Sequence, residues 1–201
     1  GDSPLITNFE LNKPKRSRAS GDIILLDIDG KNVVIDTGHG FFDTTSIIKK
    51  IKRLKIDTID YLIVTHRDLD HAGGLNKFKD NFFIKNIIVS PVEYNNGILK
   101  AVLGQKINYL IACEGTNLRL NESVEIEFIN PKCNADLGGA NRQALSFILR
   151  YPGFNVFFSS DVPFNHLREE VEKLSLERKQ MLLQMAHHCS RTDNPKEIGR
   201  A

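Results

Sequence analysis

The apolar positions of the chain recur in two rhythms. Val124, Ile126 and Phe128 alternate with polar neighbours, the period of a strand with one buried face. Ile47, Ile48, Ile51 and Leu54 recur at helical spacing, with Lys and Arg on the opposite face. Apolar, β-branched runs at 23–28, 33–36, 61–64 and 86–90 read as buried strands. Asp29-Gly30, between the first two, is a strong two-residue hairpin signal. Pro152-Gly153 marks a second hairpin between 145–151 and 154–159. Further strands are expected at 107–112, 123–129 and 181–186, and helices over 44–55, 92–105 and 163–178. Thr44 or Thr45 can cap the first helix. Gly97 and Gly104 weaken the pattern of the second. Residues 1–20 are polar and basic and read as a solvated loop, and 130–142 reads as another. The order of elements predicts an α/β (α+β) class, with helices covering sheets.

Composition narrows this little. A chain of 201 residues is long enough for one sizeable core, so a single domain over 1–201 is expected. A net charge of +2 makes no electrostatic case for or against nucleic acid. There is no apolar run long enough to span a bilayer and no signal-peptide pattern, so no membrane partner is expected. The three cysteines, Cys113, Cys133 and Cys189, are odd in number and far apart. They predict no disulfide framework, and a reducing, cytoplasmic location fits them. No repeats occur.

The chemistry is concentrated in Thr65-His66-Arg67-Asp68-Leu69-Asp70-His71-Ala72-Gly73-Gly74. His66, Asp68, Asp70 and His71 follow directly on the 61–64 strand, which delivers them to its C-terminal end. In extended chain 66, 68 and 70 face one side, and His71 joins them only if the chain turns. Carboxylates this close repel one another unless a cation neutralises them. Gly73-Gly74 is expected to provide a sharp turn. Other candidates stand alone. Asp36 ends a strand and reads as a turn-capping residue. His39 lies between glycines and is a pocket-lining candidate. Asp161 ends an apolar strand and, with Pro163 behind it, reads as a helix cap. His187-His188-Cys189-Ser190 follows the 181–186 strand.

The run from His66 to His71 resembles the His-x-His-x-Asp-His signature of the metallo-β-lactamase fold superfamily, with Asp68 where the second His usually stands. That variant is similar to the branch containing the metallohydrolase domain of ComEC-type DNA-uptake proteins. Gly21-Asp22 and Ile35-Asp36-Thr37-Gly38 resemble the opening unit of the superfamily. His187-His188-Cys189-Ser190 resembles the branch's His-His-Gly-Ser motif, with Cys189 replacing Gly. The resemblance implies a four-layer αβ/βα sandwich. Relatives continue past the paired His, so it also implies a fold that is C-terminally incomplete or completed differently. It makes Asp36 a residue that orients the metal loop, and Asp161 a ligand between two metal positions. No His lies between 71 and 161, as in the branch, and Asn141 with Ser146 is similar to an Asn and a Ser found there. One metal position would then hold Asp70, His71, Asp161 and one of His187 and His188. The other would have only His66, Asp68 and the shared Asp161. By likeness His188 is the ligand and His187 a general acid or substrate contact, though the two can exchange roles. The cofactor expected is Zn, as one or two ions, and the oxygen-rich donor set also suits Mn or Fe.

These residues imply a metal-dependent hydrolase that uses a metal-activated hydroxide, with Asp70 and His187 as catalytic residues and His39, Asn141 and Ser190 in the pocket. Arg67 and Arg191 flank the motifs, where they can hold a phosphate. The branch resembled points to a phosphodiester substrate, either a small molecule or a nucleic acid. A lactone or ester hydrolase of the same fold is the alternative within enzymes. A non-catalytic metal-binding module is the alternative outside them. The sequence does not indicate an oligomeric state.

Overall fold

The computed structural model describes residues 5–10, 22–40, 44–104, 106–134, 138–175 and 180–184. His187, His188, Cys189, Ser190 and Arg191 lie outside the described residues. The chain divides into two compact units, Gly1–Ile111 and Ala112–Ala201.

The first unit runs β1 (Leu5–Glu10), β2 (Asp22–Ile28), β3 (Lys31–Ile35), α1 (Thr44–Arg53), β4 (Thr58–Ile63), α2 (Leu69–Ala72), α3 (Leu75–Asn81), β5 (Phe83–Val89), α4 (Pro91–Asn96), α5 (Ile98–Leu103) and β6 (Asn108–Ile111). Its strands form one sheet in that order. β1, β2 and β3 pair antiparallel, and β3, β4, β5 and β6 pair parallel. The β2–β3 turn takes left-handed φ at both Asp29 (51°) and Gly30 (79°), as the sequence predicts for an Asp-Gly hairpin. Ile47, Ile48 and Ile51 of α1, Phe78 of α3 and Leu99 and Leu103 of α5 join Leu25, Val34, Leu62 and Ile87 of the sheet in one buried cluster. Ile47, Ile48 and Ile51 of the stripe read from the sequence are therefore the buried side of α1, whereas Leu54 lies beyond the helix and is exposed. Thr44 is also buried, and its hydroxyl donates to the His39 carbonyl. Because β3 and β4 are parallel neighbours, both deliver the chain that follows them to the same sheet edge, the usual ligand edge of an α/β sheet.

Several expectations for this unit are corrected. Residues 5–10 are a strand on β2, not loop. Backbone pairing to a neighbour outweighs the polar composition around them. The helix expected over 92–105 is two helices, broken at Gly97, which takes φ 77°. Gly73 and Gly74 have ordinary right-handed backbone, so they are not there for a special turn. They are there for space. A Cβ on Gly73 would strike the Leu69 carbonyl and the Gly40 nitrogen, and one on Gly74 would strike the Thr37 carbonyl.

The second unit runs β7 (Asn117–Arg119), β8 (Glu125–Asn130), a single 3-10 turn at Asn141–Gln143, β9 (Ser146–Tyr151), β10 (Phe154–Phe158), α6 (Phe164–Ser175) and β11 (Gln180–Gln184). The sheet order is β11-β10-β9-β8-β7, with β10 and β11 parallel and the other pairs antiparallel. Gly153 takes φ 94° in the β9–β10 turn, as expected at Pro152-Gly153. Ile148 and Phe157 of the sheet pack with Val162 and Leu167 of α6. Cys113 and Cys133 are joined in a disulfide, contrary to the expectation from cysteine count. Pairing depends on the two Cα atoms approaching, here to 5.1 Å, which a separation of 20 in sequence does not reveal. This removes the argument from cysteines for a reducing location. Among the described residues, no helix is long and apolar enough to cross a membrane.

Candidate metal centre

Beyond β4 the chain stays extended through Val64, whose N–H donates to the Ile88 carbonyl. At Asp68 it turns into the short helix α2, and the N–H groups of His71 and Ala72 both donate to the Asp68 carbonyl. That turn brings His71 back beside His66, with ring centroids 4.2 Å apart. The segment after β3 lies against the same loop. Thr37 donates to the His71 carbonyl from its N–H at 2.7 Å and its hydroxyl at 3.0 Å, and Gly74 N–H donates to the Gly38 carbonyl. The glycines allow this backbone-to-backbone contact.

The buried centre of the loop is Asp36, with φ 58°. Non-glycine residues rarely hold such backbone, and Asp is among those that tolerate it. Asp36 Oδ1 accepts from the Thr65 N–H at 2.8 Å. Its Oδ2 accepts from the Thr65 hydroxyl at 2.7 Å and lies 2.8 Å from His71 Nδ1. A carboxylate can only accept, so His71 carries its proton on Nδ1 and presents the Nε2 lone pair. The Thr65 hydroxyl gives its proton to Asp36, so it accepts from His66 Nδ1, 3.1 Å away. His66 therefore also presents the Nε2 lone pair.

Both Nε2 atoms face carboxylates. His66 Nε2 is 3.6 Å from Asp68 Oδ2, and His71 Nε2 is 4.0 Å from Asp70 Oδ2. Acceptor faces acceptor in each pair, and only a cation or a further proton between them makes that favourable. Neutral imidazole Nε2 with Asp oxygen is an ordinary donor set for Zn, Mn or Fe. The chain's own residues thus fit a divalent metal. When His66 carries the further proton, its contact holds the Asp68 carboxyl below its ordinary range, while burial and the nearby Asp70 charge push the other way.

His39 is half-buried on the segment after β3, and its carbonyl accepts from the Thr44 hydroxyl at the start of α1. Asp161 lies in the second unit, buried after β10 and directly behind Ser160, which takes φ 52°. Asn141 is half-buried in the 3-10 turn, and Ser146 donates to the Ser159 carbonyl at 2.8 Å. Sequence reasoning missed two residues. Thr65 links both imidazoles to Asp36. Glu93, 1 % exposed in the first turn of α4, accepts from the Arg67 N–H at 3.3 Å. Burial pushes its carboxyl above the ordinary range, against the opposing pull of Arg67.

Residues 17–103 match the family model described as the metallo-beta-lactamase superfamily. The fold is that of this superfamily. A metallo-β-lactamase from Hirschia baltica superposes with a TM-score of 0.58, at 12% identity over 91% of this chain and 86% of its own. The flavodiiron protein from Giardia intestinalis gives 0.59, at 16% identity over 82% of this chain and 46% of its own. By sequence, the chain is similar to an anaerobic nitric oxide reductase flavorubredoxin from Enterobacter sp. strain 638. The two are 33% identical over 128 residues, which are 62% of this chain and 26% of that protein. The chain therefore spans about a quarter of the length of that curated relative. The metallo-β-lactamase fold expected from the sequence is thus shown, and relatives of two chemical kinds share it.

Proposed function

We propose that the chain is a metal-dependent hydrolase whose substrate is a phosphodiester. One observation carries the reading: each of two imidazoles turns its Nε2 lone pair toward a carboxylate, and one buried network centred on Asp36 fixes both rings. His66, Asp68, Asp70 and His71 would hold the cation. Asp161, buried behind a strained residue, would add a carboxylate, and His188 or His187 an imidazole, as the sequence likeness implies. When bound, the cation supplies Lewis acidity, lowering the pKa of water from ~15.7 toward ~7. Asp36 and Thr65 keep the two imidazoles in the ligating tautomer. Arg67, with its side chain 32% exposed, can offer a cationic donor to a phosphoryl oxygen. Whichever of His187 and His188 is not a ligand would protonate the leaving group.

The test is metal analysis of protein purified without added metal, followed by hydrolysis of bis(p-nitrophenyl) phosphate. Metal-dependent release of nitrophenolate supports the proposal. Bound metal with no release from this ester, but with turnover of a lactone, would move the substrate class and keep the hydrolase.

The carboxylate at position 68 favours a second reading. It makes the donor set rich in oxygen, which suits iron, and a sequence relative is named a nitric oxide reductase. In that case the purified protein carries iron, consumes nitric oxide when a reductant is supplied, and hydrolyses no ester.

A further inference from the structure

Glu93 occupies a position whose sequence pattern suggests a role it does not play. Ser90-Pro91-Val92-Glu93 opens α4 with a capping-box pattern, in which the Glu side chain reaches back to the N-terminal end of its own helix. Half of that pattern is present: the Ser90 hydroxyl accepts from the Glu93 N–H at 3.3 Å. The Glu93 carboxylate, however, turns away from the helix end. Oε1 accepts from the Arg67 N–H at 3.3 Å and lies 3.6 Å from the Arg67 guanidinium. Oε2 is buried with no hydrogen-bond partner among the described residues. A buried carboxylate bonded through one oxygen is costly, and α4 does not need it for its own cap. It stays because it touches the one residue standing between His66 and Asp68.

We infer that Glu93 is a positioning residue of the metal centre, holding the 66–68 segment through the backbone N–H of Arg67 so that His66 and Asp68 face one another. The inference rests on the metal-binding reading above. The geometry gives the reason. Val64 is held by Ile88 of β5, and Thr65 by Asp36. Asp68 is held where α2 begins, through its carbonyl. Between these anchors, the contact with Glu93 fixes the peptide at residue 67. Without it, that peptide can rotate and separate the two donors.

The experiment measures Zn²⁺ affinity, and separately Mn²⁺ affinity, by chelator competition for the full chain and for Glu93→Ala, Glu93→Gln and Arg67→Ala, with apo-protein thermal midpoints alongside. Loss of a residue that orients ligands costs about 10–100-fold in metal affinity, and that loss is expected for Glu93→Ala. Glu93→Gln keeps a carbonyl oxygen for the Arg67 N–H and is expected to recover most of the affinity. Arg67→Ala keeps the N–H and is expected to lose less than Glu93→Ala. A purely structural Glu93 would move the midpoints and leave the affinity of the folded fraction alone. Wild-type affinity in folded Glu93→Ala, or equal losses in Glu93→Ala and Glu93→Gln, overturns the inference while the metal reading stands. A wild-type chain that binds neither cation overturns both.

Discussion

Asp36 Oδ2 lies 2.8 Å from His71 Nδ1 and also accepts the Thr65 hydroxyl proton at 2.7 Å, so one buried carboxylate sets the tautomers of two imidazoles. His71 is held directly and His66 through Thr65. Asp36→Asn is the informative change. Asn tolerates the left-handed backbone at this position about as well as Asp, so strain is not added. Its amide cannot accept from both groups through the same atom arrangement, and at least one ring loses its orienting partner. Metal affinity is expected to fall by about 10–100-fold while the apo chain stays folded. Chelator competition and circular dichroism check the two halves of this expectation. Unchanged affinity would remove Asp36 from the site.

The glycines at 73 and 30 make a contrast. Gly73 is needed for room and Gly30 for its φ of 79°. Gly30→Asn keeps a residue that accepts left-handed backbone, with open space around its Cβ, and is expected to cost well under about 1 kcal/mol. Gly73→Ala places a methyl against the Leu69 carbonyl of the metal loop and the Gly40 nitrogen of the segment after β3, and is expected to cost about 1–3 kcal/mol, as overpacking does. Urea unfolding of the two variants gives the comparison. Equal costs would mean that the 37–40 and 69–74 segments can move apart freely.

Asp60 gives a pH dependence away from the metal. On β4, its Oδ1 meets Lys85 of β5 at 2.6 Å and its Oδ2 accepts from the Asn32 N–H of β3 at 2.9 Å. Burial pushes its carboxyl up. The Lys85 hydrogen bond, the Asn32 N–H and the Lys85 and Lys31 charges outweigh that and leave it lower than usual. A depressed carboxylate contributes stability above its unfolded pKa, about 3.9, and loses it as pH falls through the folded value. Lys85 is half exposed, so screening keeps the contribution to about 1 kcal/mol. Asp60→Asn is therefore expected to be less stable than the parent at pH 7, with the gap closing below about pH 4. A gap that widens on acidification would reverse the sign of the argument.

Local pattern carried much of this molecule into view. The hairpin at Asp29-Gly30 and the stripe of α1 are each written in adjacent residues, and the structure has both. The crowding of His66, Asp68, Asp70 and His71 named the loop. What stayed hidden depends on non-local approach. Thr65 is an ordinary strand-end residue until Asp36, 29 positions earlier, arrives beside it. Glu93 reads as a helix cap until Arg67, 26 positions earlier, comes within reach. Cys113 and Cys133 look unrelated until the strands between them bring their Cα atoms together. Leu5–Glu10, with Leu5, Ile6, Thr7 and Phe9, is a strand on β2 that the basic run following it hid from a reading by composition.

The two halves of the centre are not equally well built. His71 is anchored by a buried carboxylate at 2.8 Å, His66 by a hydroxyl at 3.1 Å. Asp70 has a side chain 33% exposed against 46% for Asp68, so it moves less freely in solvent. A donor already held in place loses less entropy when it captures a cation. The Asp70–His71 half should therefore bind more tightly, and the Asp68–His66 half should bind a weaker cation or wait for a substrate oxygen. Asp70→Ala is expected to lower bound Zn²⁺ by more than half in protein purified without added metal, and Asp68→Ala by less. Asp161→Asn, if that residue serves both positions, is expected to lower it at least as far as Asp70→Ala. Plasma emission analysis of the three variants against the parent decides the order. Equal loss from Asp70→Ala and Asp68→Ala would mean one shared position rather than two of different strength. No loss from either would take both carboxylates out of the ligand set and leave the imidazoles as the site's only donors in the first unit.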